Sequence, residues 1–325
     1  MSVGAGLTVL GFLAAAGLSS SAWVVLFMIL HFAGSAPLLS FYDNRVLSAI
    51  PVEERSSAWG VLRSYGSVGW GIVAVSSFAL KDSVGWVLSC VVLVVGMAVA
   101  LYGYYVMTPV APPPPTGMEL REVLSYASKN RSVLLFLVTV AVSGFSYSLS
   151  ASFLPRYLEH DLAASSLLIG LSVTMTVVVE IPLFLMSGHV YQRFTDHEML
   201  SLALLAWALR ALGYAILLVY SPWLVLLLEP LHGISFGFMW LGGVRYVRHA
   251  FPETLSQSSI GLLSVAAFGV GPTLGNVVGG LLYSAVGARW LYGMASLVVA
   301  AVAVGYYWLS QRWEATTEVE AVETL

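Results

Sequence analysis

The sequence contains few charged residues. Asp, Glu, Lys and Arg make up 10% of its 325 residues, whereas about a quarter is usual in a soluble domain. None of them occurs among residues 1–42. Hydrophobic residues account for 58%, and the mean hydropathy is +0.86. This scarcity of charge excludes an ordinary soluble domain and predicts an integral, multi-pass membrane protein that has the lipid bilayer as its partner.

Cysteine and the common catalytic motifs are also scarce. The single cysteine, Cys90, cannot form an internal disulfide or a thiolate metal site. The motifs of serine hydrolases, metalloproteases, P-loop proteins and dinucleotide-binding enzymes do not occur in the sequence. There is no basic patch suited to nucleic acid. The sequence therefore predicts no enzyme, no cofactor, no metal and no nucleic-acid partner. The uncharged first 42 residues also lack the basic start of a cleavable signal peptide.

Long apolar runs are abundant. A helix needs about 20 apolar residues to cross about 30 Å of hydrocarbon. Runs of this length are found at 2–19, 22–48, 57–80, 83–106, 132–154, 165–188, 198–219, 222–247, 257–284 and 287–311. We therefore predict an all-α, polytopic fold with about ten transmembrane helices.

A proline-rich segment divides the chain. The run Pro112 to Pro115 is stiff and cannot form part of a span. The predicted organisation is an N-terminal part with four spans (1–106), a cytoplasmic loop (107–131) with a short amphipathic helix, a C-terminal part with six spans (132–311) and an acidic, disordered tail (312–325). Basic residues concentrate in alternate loops, so the positive-inside rule places both termini in the cytoplasm.

Several ionisable residues lie within the predicted spans, where burial in hydrocarbon is costly. Glu229 and His232 are three positions apart, which places them on one face of a helix. A carboxylate and an imidazole on a shared face indicate a proton relay or a site for a polar ligand. Glu180 and Arg210 are predicted at depths of roughly 12 and 18 Å from the cytoplasmic side, close to that pair. A structural salt bridge is the alternative.

Asp43 and Arg63 form a second predicted group near the cytoplasmic side. Each lies about 9 Å inside its span, so the two either pair with one another or extend to the interface. The aromatic residues Phe236 and Trp240 follow His232 on the same predicted helix. Their rings are suited to stacking on a sugar or a base, and contact with lipid or another helix is the alternative.

Five stretches resemble the major facilitator superfamily, in the branch of lactose permease-like symporters, nucleoside–proton symporters and the major facilitator superfamily domain-containing protein six group. They are Pro-Leu-Leu-Ser-Phe-Tyr-Asp (37–43), Arg-Ser-Tyr-Gly-Ser-Val-Gly-Trp-Gly (63–71), Glu-Ile-Pro-Leu-Phe-Leu-Met-Ser-Gly (180–188), Leu-His-Gly-Ile-Ser-Phe-Gly (231–237) and Gly-Pro-Thr-Leu-Gly-Asn-Val-Val-Gly-Gly (271–280). Members have two six-helix halves. The resemblance implies an incomplete twelve-helix fold in which the first two helices are missing.

The resemblance also implies a mechanism. Lactose permease-like members couple transport to protons through acidic, Arg and His residues of the second half. The residues on matching helices here are Glu180, Arg210, Glu229 and His232, although Glu precedes His where the permease has the opposite order. We therefore expect a secondary active transporter that carries a sugar or nucleoside with protons by alternating access. Asp43 and Arg63 would line or gate the path with these four residues. The alternative is a non-transporting receptor or scaffold on a degenerate or truncated transporter fold.

Overall fold

The computed structural model describes residue 50 and residues 55–79, 87–106 and 120–323. These residues form helices, and no strand occurs among them. Two helices precede the proline-rich segment: α1 (Arg55–Ala79) and α2 (Val87–Val106). The predicted spans 2–19 and 22–48, together with Asp43, lie outside the described residues.

Nine helices follow the proline-rich segment within the described part. In chain order they are α3 (Leu120–Lys129), α4 (Arg131–Arg156), α5 (Ser166–Leu185), α6 (Ser187–Arg193), α7 (Asp196–Ile216), α8 (Val225–Leu228), α9 (Leu231–Ala250), α10 (Ser256–Val265) and α11 (Gly271–Glu323). A π-helical turn extends α4 over Tyr157–Asp161, and a second joins α10 to α11 over Ala266–Val270.

Five helical runs in the described residues are long and apolar enough to cross a membrane. They are Arg131–Asp161, Ser166–Leu185, Asp196–Ile216, Pro222–Ala250 and Ser258–Arg312. Helix α1 is equally long but less apolar. The prediction of an all-α, multi-pass membrane protein is confirmed.

The last run contains two successive helices. Gly287 interrupts α11 with φ 79° and ψ 169°, a backbone conformation that is essentially restricted to glycine. The interruption separates the predicted spans 257–284 and 287–311. Beyond them α11 continues to Glu323, where the sequence predicts a disordered tail. The Ala and Glu residues of this stretch have high helix propensity, which is consistent with the extension.

Polar caps determine where several helices begin. The side chain of Asn130 accepts hydrogen bonds from the backbone nitrogens of Ser132 and Val133 at the start of α4. Thr195 and Glu198 form a reciprocal capping box at the start of α7. Such caps satisfy backbone N–H groups that have no partner within the helix, so they fix the end of a span near the membrane surface.

Arg245 anchors the turn between α6 and α7. Its guanidinium donates to Asp196 Oδ1 at 2.5 Å, to the Tyr191 carbonyl at 2.9 Å and to the Phe194 carbonyl at 2.7 Å. The same guanidinium lies 4.6 Å from the centre of the Tyr191 ring. Burial raises the pKa of Tyr191 to about 12, so this ring stays neutral beneath the cation. These contacts connect α9 to the turn in front of α7.

The apolar core is divided into two clusters along the bundle. One lies towards α3 and contains Phe136, Phe184 and Leu200. The other lies towards the opposite end and contains Leu158 and Tyr214. On α5, Glu180 lies between residues of the second cluster and Phe184 of the first. The packing of α5 against α1 and α9 therefore places a charged residue between two apolar layers.

Candidate functional site

The structure buries the four ionisable residues that the sequence analysis places in the spans after residues 107–131. Relative exposure is 6% for Glu180, 1% for Arg210, 3% for Glu229 and 9% for His232. Glu180 is on α5, Arg210 is on α7 and His232 is in the first turn of α9. Glu229 lies between α8 and α9. Three helices and the junction of α8 with α9 thus contribute to one buried region.

Pro230 changes the hydrogen-bond pattern within the helical run Pro222–Ala250. Helix α8 ends at Leu228, and α9 begins at Leu231. Proline has no N–H to donate, so the regular hydrogen-bond pattern cannot continue through it. The nitrogens of His232 and Gly233 instead donate to carbonyls three residues earlier, at 2.9 and 3.1 Å. The backbone nevertheless stays helical at Glu229 (φ −62°, ψ −31°) and Pro230 (φ −57°, ψ −26°), so the two residues remain three positions apart along one helical run. Their side chains have different partners.

Glu229 pairs with α7. Its Oε2 lies 3.7 Å from Arg210 Nη1, and its Oε1 accepts a hydrogen bond from the Tyr214 hydroxyl. The Arg210 guanidinium carbon lies 5.7 Å from the centre of the Tyr214 ring. Both oxygens of the carboxylate therefore have a partner, whereas Arg210 Nε and Nη1 have no hydrogen-bond partner among the described residues. Removing one partner of such a pair is strongly destabilising, because the other charge is then buried without compensation.

Glu180 forms the second pair. Its Oε2 lies 3.9 Å from His232 Nε2, and its Oε1 accepts a hydrogen bond of 2.5 Å from the Ser67 hydroxyl. Ser67 belongs to α1, whereas Glu180 and His232 follow the proline-rich segment. The contact therefore joins parts of the chain that lie on opposite sides of residues 107–131.

Aromatic rings border the Glu180–His232 pair. The His232 ring stacks on Phe236 with centroids 5.6 Å apart and planes inclined by 8°. The Tyr147 ring lies 5.8 Å from His232. On the other side, the Arg63 guanidinium carbon is 5.7 Å from the centre of Phe236. This arrangement places a carboxylate, an imidazole, a phenol and a guanidinium around one small region.

The remaining predicted residues lie further out. Trp240 is buried one turn along α9 from Phe236, and its ring is 5.2 Å from Phe268. Asp43 lies outside the described residues, so its predicted pairing with Arg63 stays a prediction.

Sequence reasoning missed three polar residues of the site. Ser67 and Tyr214 each follow an identified arginine, Arg63 and Arg210, by four positions and therefore share its helix face. This spacing was a usable signal. Tyr147 has no such neighbour in the sequence, and only the approach of α4 to α9 brings its ring to His232.

A large open groove lies away from these residues. It has a volume of about 860 Å³ and is bounded by α3, α4 and the junction of α10 with α11. Its lining is mostly apolar, with Arg121 as the charged residue, and it contains none of the predicted site residues. Among the residues that the structure describes, no group of three His, Cys, Asp or Glu side chains could hold a metal ion.

The chemistry available at the Glu180–His232 pair is proton exchange and polar recognition. A buried carboxyl group can take up or release a proton, and a neighbouring imidazole can relay it. Serine and tyrosine hydroxyls both donate and accept hydrogen bonds, and arginine donates up to five. Such a set is suited to a solute with several hydroxyl groups.

Known proteins similar to this chain are membrane proteins. The chain is 25% identical to maltose permease of Geobacillus stearothermophilus over 251 residues, which cover 76% of the chain and 60% of that protein. It is 26% identical over 172 residues to major facilitator superfamily domain-containing protein 6-like protein A of Xenopus laevis, over 53% of the chain and 28% of that protein. The chain therefore spans between about a quarter and three fifths of the length of these relatives.

Solved structures and a family model extend the comparison. A crystal structure of a POT family transporter in complex with a thioalcohol-conjugated peptide has a TM-score of 0.75 at 11% identity, over 95% of this chain and 80% of that one. At this identity the likeness concerns the fold alone. The model of the MFS_1 like family matches residues 1–294, and the chain therefore belongs to that family.

Proposed function

We propose that the protein transports a polar organic solute of the sugar or nucleoside class together with protons, by alternating access. The observation that carries this proposal is the buried Glu180–His232 pair, at 3.9 Å, beside Ser67 of α1. An ionisable pair buried within membrane-spanning helices is costly, and a proton or solute pathway accounts for such a cost. The pair lies at a contact between the parts of the chain before and after residues 107–131. In alternating access, the two halves would move relative to one another at this contact.

Within this proposal the two carboxylates have different roles. Glu180 carries the proton, and His232 relays it or binds the solute. Glu229 is already paired with Arg210 and Tyr214, so this group holds α7 against the junction of α8 and α9. Separate roles follow from the separate sets of partners.

Arg63 and Tyr147 are suited to contact the solute. Among the described residues, the buried Arg63 Nε has no hydrogen-bond partner. Tyr147 lies within electrostatic range of Arg63 and Glu180. A solute with hydroxyl groups would satisfy such donors, since an unpaired buried donor is unfavourable. The names maltose permease and sugar efflux transporter A, given to relatives in Geobacillus stearothermophilus and Dickeya chrysanthemi, make sugars the first class to test.

The test is uptake of radiolabelled sugars and nucleosides into proteoliposomes, with and without an inward proton gradient. The chain should be compared with a form that is extended by any in-frame sequence encoded upstream of Met1. We expect gradient-dependent uptake of at least one solute, and a loss of that gradient dependence in Glu180→Gln. Glu122→Gln, at an exposed position on α3, is the matched control. Absence of uptake in both forms would favour the receptor or scaffold alternative.

A further inference from the structure

The hydrogen bond between Ser67 and Glu180 links two helices that are far apart in sequence. Ser67 is buried, and its hydroxyl donates to Glu180 Oε1 at 2.5 Å across a separation of 113 residues. A second acceptor, the carbonyl oxygen of Arg63, lies 3.3 Å from the same hydroxyl. One hydroxyl proton thus has two possible acceptors, one charged and one neutral.

The protonation state of Glu180 determines which of these acceptors receives the Ser67 hydrogen bond. A hydroxyl bond to an ionised carboxylate is shorter and roughly twice as strong as a neutral one. The ionised carboxylate therefore takes the Ser67 proton. A protonated Glu180 is instead a donor, so Ser67 can accept from it and donate to the Arg63 carbonyl. The bond between α1 and α5 changes direction and strength with the proton.

A second polar link between these helices, in the part of the chain that the structure describes, is neutral. Thr174 of α5 donates to the Gly71 carbonyl of α1 at 2.9 Å and to the Gly170 carbonyl at 3.0 Å. One turn before Ser67, the buried Ser64 donates to the Val61 carbonyl within α1 at 2.7 Å. Ser64 is buried like Ser67, and Thr174 is half-buried. Neither hydroxyl bonds to the Glu180 carboxylate, so both provide controls.

Other ionisable groups face Glu180 from the helices around it. They are Arg63 of α1, Tyr147 of α4 and His232 of α9. Arg210 of α7 lies within electrostatic range of Tyr147 and His232. These groups act on the carboxylate whether or not Ser67 is present, so a change at Ser67 isolates the contribution of its hydroxyl.

From these contacts we propose that Ser67 is a positioning residue that holds the Glu180 carboxylate and couples its proton to the contact between α1 and α5. As a step in transport, this inference rests on the proposed function. Coupling is reciprocal by thermodynamic linkage. If a residue of α1 changes the proton affinity of Glu180, protonation of Glu180 changes the strength of the α1–α5 contact by the same factor.

The test is an infrared titration of protonated carboxyl groups in the full chain, reconstituted in lipid. The Glu180 band is assigned by its loss in Glu180→Gln. Ser67→Ala removes a donor to the charged form, so the midpoint of Glu180 protonation should move to higher pH by about one unit. Ser67→Thr should retain the wild-type midpoint, and Ser67→Cys, a weaker donor of similar size, should fall between them. Ser64→Ala and Thr174→Val should leave it unchanged.

The outcomes separate this inference from the proposed function. An unchanged midpoint in both Ser67→Ala and Ser67→Cys would overturn the role of Ser67, whatever the uptake assay shows. An equal shift in Ser64→Ala or Thr174→Val would overturn it as well, because the effect would then be general to the helix contact. A shift confined to Ser67 supports the inference. If no solute is transported in that case, the coupling stands and the transport proposal fails.

Discussion

Gly233 of α9 lies directly against the backbone of Glu180 on α5. A β-carbon at Gly233 would overlap with the Glu180 nitrogen and come within 2.7 Å of the Val179 carbonyl carbon. Backbone atoms cannot move aside as the end of a flexible side chain can. The absence of a side chain at this one position therefore allows the close approach of α5 and α9 that brings His232 to Glu180.

Gly233→Ala is expected to separate these helices and destabilise the fold by about 1–3 kcal/mol, the usual cost of adding a methyl group to a full core. The measurement is the thermal unfolding midpoint of detergent-purified protein. Gly305→Ala on α11, where a β-carbon meets nothing within 4 Å, is the control and should not lower the midpoint. Equal midpoints for the two variants would contradict the proposed close contact.

Gly287 is needed for a different reason. A β-carbon there meets nothing within 4 Å, but the backbone has φ 79°. Gly287→Ala is therefore expected to cost roughly 1–3 kcal/mol through backbone strain alone. The same unfolding measurement checks this, and Gly305→Ala again serves as the control. A midpoint equal to that of the wild type would show that the break in α11 does not need this conformation.

The Arg210–Glu229 pair predicts non-additive effects. Arg210→Gln leaves the buried Glu229 carboxylate without its cation and is expected to destabilise the protein by roughly 3–5 kcal/mol. Combining it with Glu229→Gln removes both charges, so the double variant should be more stable than Arg210→Gln. Unfolding midpoints of the two single variants and the double variant complete a mutant cycle. A double variant at or below the single Arg210→Gln would contradict a direct pairing.

Arg245 should not tolerate replacement by lysine. Its three nitrogens bond to Asp196, Tyr191 and Phe194, whereas one ammonium group cannot reproduce a planar fork. Arg245→Lys is expected to increase hydrogen exchange roughly tenfold in the turn before α7, as expected for a loss of about 1.4 kcal/mol. Mass spectrometry of peptides that cover this turn measures the change. The exposed Arg193→Lys at the end of α6 should have no such effect.

Some features of the site were accessible from residue spacing. Glu180, Arg210, Glu229 and His232 were selected because ionisable residues are rare in apolar runs, and counting residues from the membrane surface placed them at similar depths. The pairing was not accessible in this way. A depth estimate cannot show that Glu229 pairs with Arg210 while His232 lies beside Glu180.

The pattern of apolar residues is sufficient to specify a multi-pass helical membrane protein. Runs of about 20 apolar residues with few charges are long enough to cross the hydrocarbon of a bilayer. No water is available there, so the backbone forms helices, in which its N–H and carbonyl groups bond to one another. Tertiary structure alone decided which helices are neighbours. Ser67 and Glu180 meet across 113 residues because α1 packs along α5. Gly233 matters because α9 crosses α5 at this position, where a β-carbon would overlap with the Glu180 backbone. Such contacts depend on the shapes of the helix surfaces that face one another, and local patterns in the sequence do not reveal which surfaces meet.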